Sequence, residues 1–366
     1  MRGLRSAILS VAVTLAAAAC AWSGSTAAAL PQAAAPPSAA PPPTAAALAA
    51  PAKAAALAAP AKAAAAPTTS RWIAVSVATL WVKPGLARPI DAPAVAAAAD
   101  PRAWVAAMTV AQKRWLVGRL ETQALYGARV TLLATSGAWS KVAVPGQPTP
   151  RDARGYPGWL PTKQLTKVSP QAGQRLAVIR RPTAWAWETQ ALTGRVLELS
   201  YGTRLPALAW TRTSVEIAML DGRSLYLKRT AVALRSRGAP WPPPTGAQLV
   251  AEARRFLGMQ YLWAGTSGFG FDCSGFTCLV YQALGVTIPR DGAPQFEEGV
   301  EVARTSLRAG DLVFFRGASG QIHHVGMYVG GGRMIHSPAT GLPVGIVSLS
   351  QEPYSRELAG GRRYVP

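Results

Sequence analysis

Residues 268–276 read GFGFDCSGF: glycine alternating with phenylalanine, then an aspartate and a cysteine at the threshold of an apolar run. Beyond Cys273, the residues Phe276, Leu279, Val280, Ala283 and Leu284 recur at helical spacing, and Gly285 follows as a stop. Cys273 therefore falls in the first turn of a helix. Backbone N–H groups are unpaired there and the macrodipole favours negative charge, which lowers a thiol pKa toward the thiolate. Asp272, one residue earlier, has two open readings, a helix cap or a contact to a ligand.

The chain holds three cysteines, Cys20, Cys273 and Cys278. Five residues on one helix turn Cys278 about 140° from Cys273, so the two neither bridge nor chelate one metal. An unpaired thiol in this position suits a nucleophile, which needs a base. The three histidines, His323, His324 and His336, all lie in GQIHHVGMYVGGGRMIHSP. HHVGMYV and RMIHS read as strands joined by Gly330–Gly332. With a three-residue loop, Gly326 faces His336, and His324 shares a face with His336 while His323 points away. A two-residue loop would put the pair on opposite faces. Cysteine, histidine and a third polar group form an activated-nucleophile set. Zinc is the rival use of these residues, but no CxxC or HExxH spacing is present. The chemistry calls for no metal and no cofactor.

The compartment follows from the N-terminus. Arg2 and Arg5 precede an apolar run of 14 residues, SAILSVAVTLAAAA, and small residues come after it. That is a signal peptide, shorter than the roughly 20 residues of a membrane span. Cys20 offers an alternative as a lipid-attachment residue. Residues 31–68 are nearly all Ala and Pro, with ALAAPAK occurring twice, and read as an exposed tether. The formal net charge is +21, which favours polyanionic surroundings. Export and the lack of a basic recognition helix argue against nucleic acid, leaving anionic wall polymers or peptidoglycan carboxylates as partners. No other run is long enough to cross a bilayer.

Composition divides the remainder. Residues 69–170 are short Val-, Thr- and Trp-rich strands broken by Gly and Pro, with a helical insert expected from Asp100 to Tyr126. Residues 171–237 are a second all-β unit with a hairpin turn at Asp221-Gly222. A proline-rich linker precedes a mixed segment, 245–366, which carries the cysteine and the histidines.

YLWAGTSGFGFDCSGFTCLVYQALGVTIPRDGAPQ, LRAGDLVFF and HHVGMYVGGGRMIHSP together resemble the NlpC-type cell-wall cysteine peptidases. The resemblance implies an α+β fold with a circularly permuted papain-like C-terminal domain. By it, Cys273 is the nucleophile, His324 the base, His336 its orienter and Tyr261 an oxyanion donor. Asp272 and Ser274 would contact the free amine of the substrate's L-alanine, and Arg290 and Asp291 border the cleft. GAWSKV and GYPGWLP resemble bacterial SH3-type modules. With VATLWVKPG and LETQALYGARV they resemble the two-SH3 subgroup, the γ-D-glutamyl-L-diamino acid endopeptidases of dipeptidyl-peptidase VI type. In that subgroup Glu121 and Tyr156 match residues that read the amine, although Glu121 alone would pass as a surface charge on a helix. Peptidoglycan stem peptides or murein fragments are the implied substrates. A non-catalytic wall-binding adaptor, or an amidase or acyltransferase on the same fold, are the alternatives. Two positions depart from the family pattern: Ala264 where glycine is usual, and Gly292 where a small hydroxyl residue is.

Overall fold

The computed structural model describes residues 69–366. The leader, Cys20 and the Ala/Pro tether lie outside the described residues.

The first sheet has seven antiparallel strands: Thr69–Ile73, Val77–Trp81, Leu120–Leu125, Arg129–Ser136, Trp139–Val144, Tyr156–Pro161 and Leu165–Thr166. Counted along the chain, their spatial order is third, second, sixth, fifth, fourth, first, seventh. The second sheet runs from Arg175–Ile179 to Val232–Ser236, and its seven strands have the same spatial order. One topology therefore underlies both β units, although SH3-type signatures are weaker in the second. Within it Thr183–Trp187 pairs with Arg195–Ser200, and its alternate residues Ala184 and Ala186 are buried on the face turned to the barrel interior. The Asp221-Gly222 turn forms as expected, with Gly222 at φ +84°.

The helical insert is shorter than its sequence suggested. Asp100 caps the helix Pro101–Ala107 by accepting from the Ala103 N–H at 2.9 Å, and a second helix spans Val110–Arg114. The helical run then ends near Gly118, at φ +71°, and LETQAL is the strand Leu120–Leu125 rather than a helix end. Tertiary pairing overrides local preference here. The strand is hydrogen-bonded to Val77–Trp81, and Gln123 exchanges hydrogen bonds with Thr266, just upstream of the cysteine motif. Glu121 consequently stands on a strand, not on a helix surface.

The C-terminal part sets a six-stranded antiparallel sheet against three helices, Gly246–Ala253, Cys273–Ala283 and Gly292–Glu298. Its strand order is Val300–Val302, Leu358–Arg363, Leu312–Arg316, Ile322–Gly330, Arg333–His336, Gly345–Ser348. The Cys273–Ala283 helix is buried on almost every side, not along a single stripe, because it runs through the middle of this core. Its end is as expected. The Val286 N–H donates to the Tyr281 carbonyl and the Gly285 N–H to that of Gln282, with Gly285 at φ +89°.

Phe256 meets Tyr201 and Phe271 edge-on, each at 4.9 Å between centroids. Tyr201 belongs to the second β unit, and its hydroxyl donates to Glu252 at 2.8 Å. The loop that carries the cysteine is pressed against that same unit. A Cβ on Gly268 would lie 1.7 Å from the Pro182 carbonyl oxygen, so only glycine fits. Both β units thus fix the loop that leads into Cys273.

Candidate active site

The side chains at the head of the Cys273–Ala283 helix are positioned by a dense set of polar contacts. Asp272 caps the helix, its carboxylate accepting from the Gly275 N–H at 2.6 Å. The same carboxylate takes a two-pronged contact from Arg290, at 2.7 and 3.1 Å. Arg290 also donates to Ser274 Oγ at 3.1 Å and to Thr122 Oγ1 at 3.0 Å. Arg290 is 1% exposed and lies beneath the cleft, so it does not border it as the sequence suggested. Its neighbour Asp291 does reach the cleft. It begins the Gly292–Glu298 helix without capping it, because its carboxylate accepts from the Tyr156 hydroxyl at 2.9 Å instead.

The histidine pair comes together by an unexpected route. The turn between the two strands is two residues long, not three: Gly330 pairs with Arg333, and Gly331 and Gly332 sit at φ +59° and +68°. That turn alone would have separated the imidazoles. A bulge between Tyr328 and Gly330 shifts the register back, so Met327 pairs with Ile335 and both rings share a face. His324 Nε2 and His336 Nδ1 are 2.8 Å apart. His323 is turned out toward Glu357, 3.1 Å away.

Cys273, His324 and Tyr261 line one cavity of about 310 Å³, together with Glu121, Tyr156, Asp272, Ser274 and Asp291. His336 stands behind His324. With Nε2 of His324 engaged by His336, Nδ1 is the nitrogen left to take a proton. Tyr261 is held by an isolated parallel bridge to Phe271, next to Asp272. Trp263 and Val82 complete the apolar wall. Neither was singled out from sequence, although Trp263 lies inside the YLW motif.

Charge in this cavity is governed by burial. Desolvation pushes the Cys273 thiol up to about 12, and the Asp272 carboxylate adds to the rise. The Val325 and Ser274 N–H groups and Arg290 oppose it. The expectation that the helix tip alone holds the sulfur ionised is therefore not met, because loss of solvent outweighs the dipole. His324 is pushed down to about 3, chiefly by burial and then by His336 and His323; burial takes His336 to about 4. The resting pair is a thiol and a neutral imidazole. Neither ion is favourable alone, so the two charges form together, where they attract one another. Cys278 takes no part. It is a second free thiol, directed at the Ile288 carbonyl 3.7 Å away.

These lowered imidazoles make stability depend on pH. An unfolded histidine takes up its proton below about pH 6.5. The folded protein resists protonation down to about 3 at His324 and about 4 at His336, so the contribution of the neutral rings is complete above the unfolded value and is lost as pH falls through that window. Thermal melts at neutral pH and near the lower end of the window should show His336→Gln losing less stability than the parent. Parallel slopes for the two proteins would contradict the assignment.

Ala264 carries a strain that the usual glycine would relieve. Its φ is +59°, in the left-handed region, and it is buried beside the Tyr261 segment. Ala264→Gly is expected to stabilise the fold by about 1 kcal/mol, seen as a raised melting temperature. A lower melting temperature would mean that the methyl group's packing outweighs the strain.

A half-buried thiol that shares a cavity with one of a hydrogen-bonded histidine pair, on a papain-like α+β scaffold preceded by two SH3-type barrels, defines a cysteine hydrolase. Comparison with known proteins agrees. The NlpC/P60 family model matches residues 258–363, and the YKFC SH3b2 domain model matches residues 179–234. A γ-D-glutamyl-L-lysine dipeptidyl-peptidase of Bacillus cereus is 42% identical over 76% of this chain and 86% of its own length. That of Bacillus subtilis is 38% identical over 72% of this chain and 88% of its own. The crystal structure of an NlpC/P60 family protein from Bacillus cereus superposes with a TM-score of 0.76 at 41% identity, covering 81% of this chain and all of that one. The chain belongs to the NlpC/P60 family.

Proposed function

We propose that the protein is an exported endopeptidase that cuts the bond between γ-D-glutamate and the diamino acid of peptidoglycan stem peptides bearing a free N-terminal L-alanine. One observation carries this reading. A single cavity has a thiol and an imidazole among its lining, and also three carboxylates, Glu121, Asp272 and Asp291, with the Tyr156 hydroxyl. The first pair breaks an acyl bond. The second group suits an ammonium, which makes the cavity a gauge of length from the substrate's amino terminus.

In this mechanism the Cys273 thiol passes its proton to His324 Nδ1 as the sulfur attacks the γ-carbonyl. His336 accepts the Nε2–H of His324 and so holds the tautomer that leaves Nδ1 free. The Tyr261 hydroxyl, which has no hydrogen-bond partner among the described residues, donates to the oxyanion. The imidazolium returns its proton to the departing amine, and the thioester left on Cys273 carries L-Ala-γ-D-Glu. Water, deprotonated by His324, then releases it. Asp272 and Ser274, held by Arg290, and Glu121 with Tyr156 bind the alanine ammonium. A positively charged chain also suits work within an anionic wall.

The test is mass spectrometry of products from L-Ala-γ-D-Glu-Lys and from the same peptide acetylated on alanine. The free peptide should release lysine, and acetylation should lower kcat/KM by at least about 10²-fold, the scale of a lost charge-assisted contact in a desolvated site. Equal cleavage of both would refute the amine-reading role. An amidase or acyltransferase would not free the diamino acid's amine at all.

A further inference from the structure

Two arginines serve the cavity, and they differ in kind. Arg290 is buried and anchors three partners, whereas the Arg151 side chain is 45% exposed and extends from the loop between Val144 and Tyr156. The Arg151 guanidinium spans both oxygens of Glu121, with Nη2 2.8 Å from Oε1, and donates to the Tyr156 hydroxyl at 3.1 Å. It has no other side-chain partner among the described residues. Glu121 is only 13% exposed on its side chain, so the pair is sheltered at the carboxylate and open at the guanidinium.

We propose that Arg151 is an internal counter-ion for the amine subsite, occupying Glu121 until the substrate's ammonium displaces it. Binding is then an exchange of one cation for another. This rests on the reading above, in which Glu121 and Tyr156 receive the alanine amine. Two physical points support the exchange. Each carboxylate oxygen of Glu121 already accepts from the fork, so an ammonium arriving while Arg151 stays meets a carboxylate whose charge is already neutralised. An ion pair with its cation nearly half in solvent is also cheap to open, and a side-chain rotation suffices, since the loop itself is tied down where the Arg290 N–H donates to the Pro148 carbonyl at 3.0 Å. Arg151 thereby keeps a largely sheltered carboxylate from standing unpaired, and it sets an entry condition that a neutral acylated terminus does not meet.

The test compares the parent with Arg151→Ala and Arg151→Lys on L-Ala-γ-D-Glu-Lys and on its N-acetyl form, with melting temperatures confirming that each variant is folded. Removing the competing cation should lower KM for the free peptide by roughly two- to fivefold, with kcat nearly unchanged and the lysine variant between the two. Calorimetric titration of the dipeptide L-Ala-γ-D-Glu should show the same ratio in Kd, independent of turnover. If KM and Kd rise or stay constant in both variants, Arg151 supports Glu121 and does not compete for it, and the proposal is overturned while the amine reading stands. If the parent cuts the acetylated peptide as well as the free one, the amine reading falls and the exchange falls with it.

Discussion

Cys273→Ala should leave a folded protein whose turnover of L-Ala-γ-D-Glu-Lys is reduced by about 10⁴-fold or more, the scale seen when a nucleophile that acts as part of a unit is removed. The fold should tolerate the change because alanine is well suited to the first turn of a helix and the capping contact belongs to Asp272, not to the cysteine. His324→Ala should cost a similar factor, and the double variant little more than either single one, because a sulfur without its proton acceptor and an imidazole without its sulfur are equally idle. Burial favours the neutral thiol, which makes this dependence strong: the thiolate forms as His324 takes the proton. Rates follow from mass spectrometry of released lysine. A Cys273→Ala variant retaining activity within tenfold of the parent would show that another group attacks the substrate.

Arg290→Met is expected to carry the largest stability loss of any single change near the site, about 3–5 kcal/mol, because it leaves the Asp272 carboxylate and two hydroxyls without their buried donor. The melting temperature should fall by about 10 °C, and binding of the free amine should weaken because Asp272 loses the two-pronged contact that positions its carboxylate. Adding Asp272→Asn should restore much of the stability and none of the binding, since the uncompensated charge is then gone but so is the ammonium's partner. Calorimetry on the two variants decides it. A loss below about 1 kcal/mol for Arg290→Met would mean that water reaches Asp272 and replaces the guanidinium.

Much of the site could be read from local pattern. Helical spacing after Cys273 with Gly285 behind it locates the thiol at a helix start, and a glycine triplet between two apolar runs locates the hairpin that carries the histidines. Those signals are short-range, set by backbone period and turn chemistry, so they survive without knowledge of the fold. The readings that failed involve partners distant in sequence. LETQAL follows a helical neighbour and reads with it as helix, but its pairing partner is Val77–Trp81, and that pairing makes it a strand. The histidine register was right through a compensation, a shorter turn offset by a bulge, which no count of residues reveals.

Arg151 marks the other limit. Nothing in TPRDARG distinguishes it from the chain's many arginines, and its meaning comes from Glu121, 30 residues away, and from the Tyr156 hydroxyl. The same holds for the sulfur. A helix start points to a lowered thiol pKa, and only the packed surroundings, through partial desolvation and the nearby Asp272 carboxylate, turn the shift upward. The chain's order of residues was enough to indicate its scaffold and to single out the thiol and imidazole proposed as nucleophile and base, because each rests on periodicity or on a motif of adjacent positions. Protonation, ion pairing and strand register depended on the assembled molecule, because each is an energy between groups that the chain separates and folding brings together.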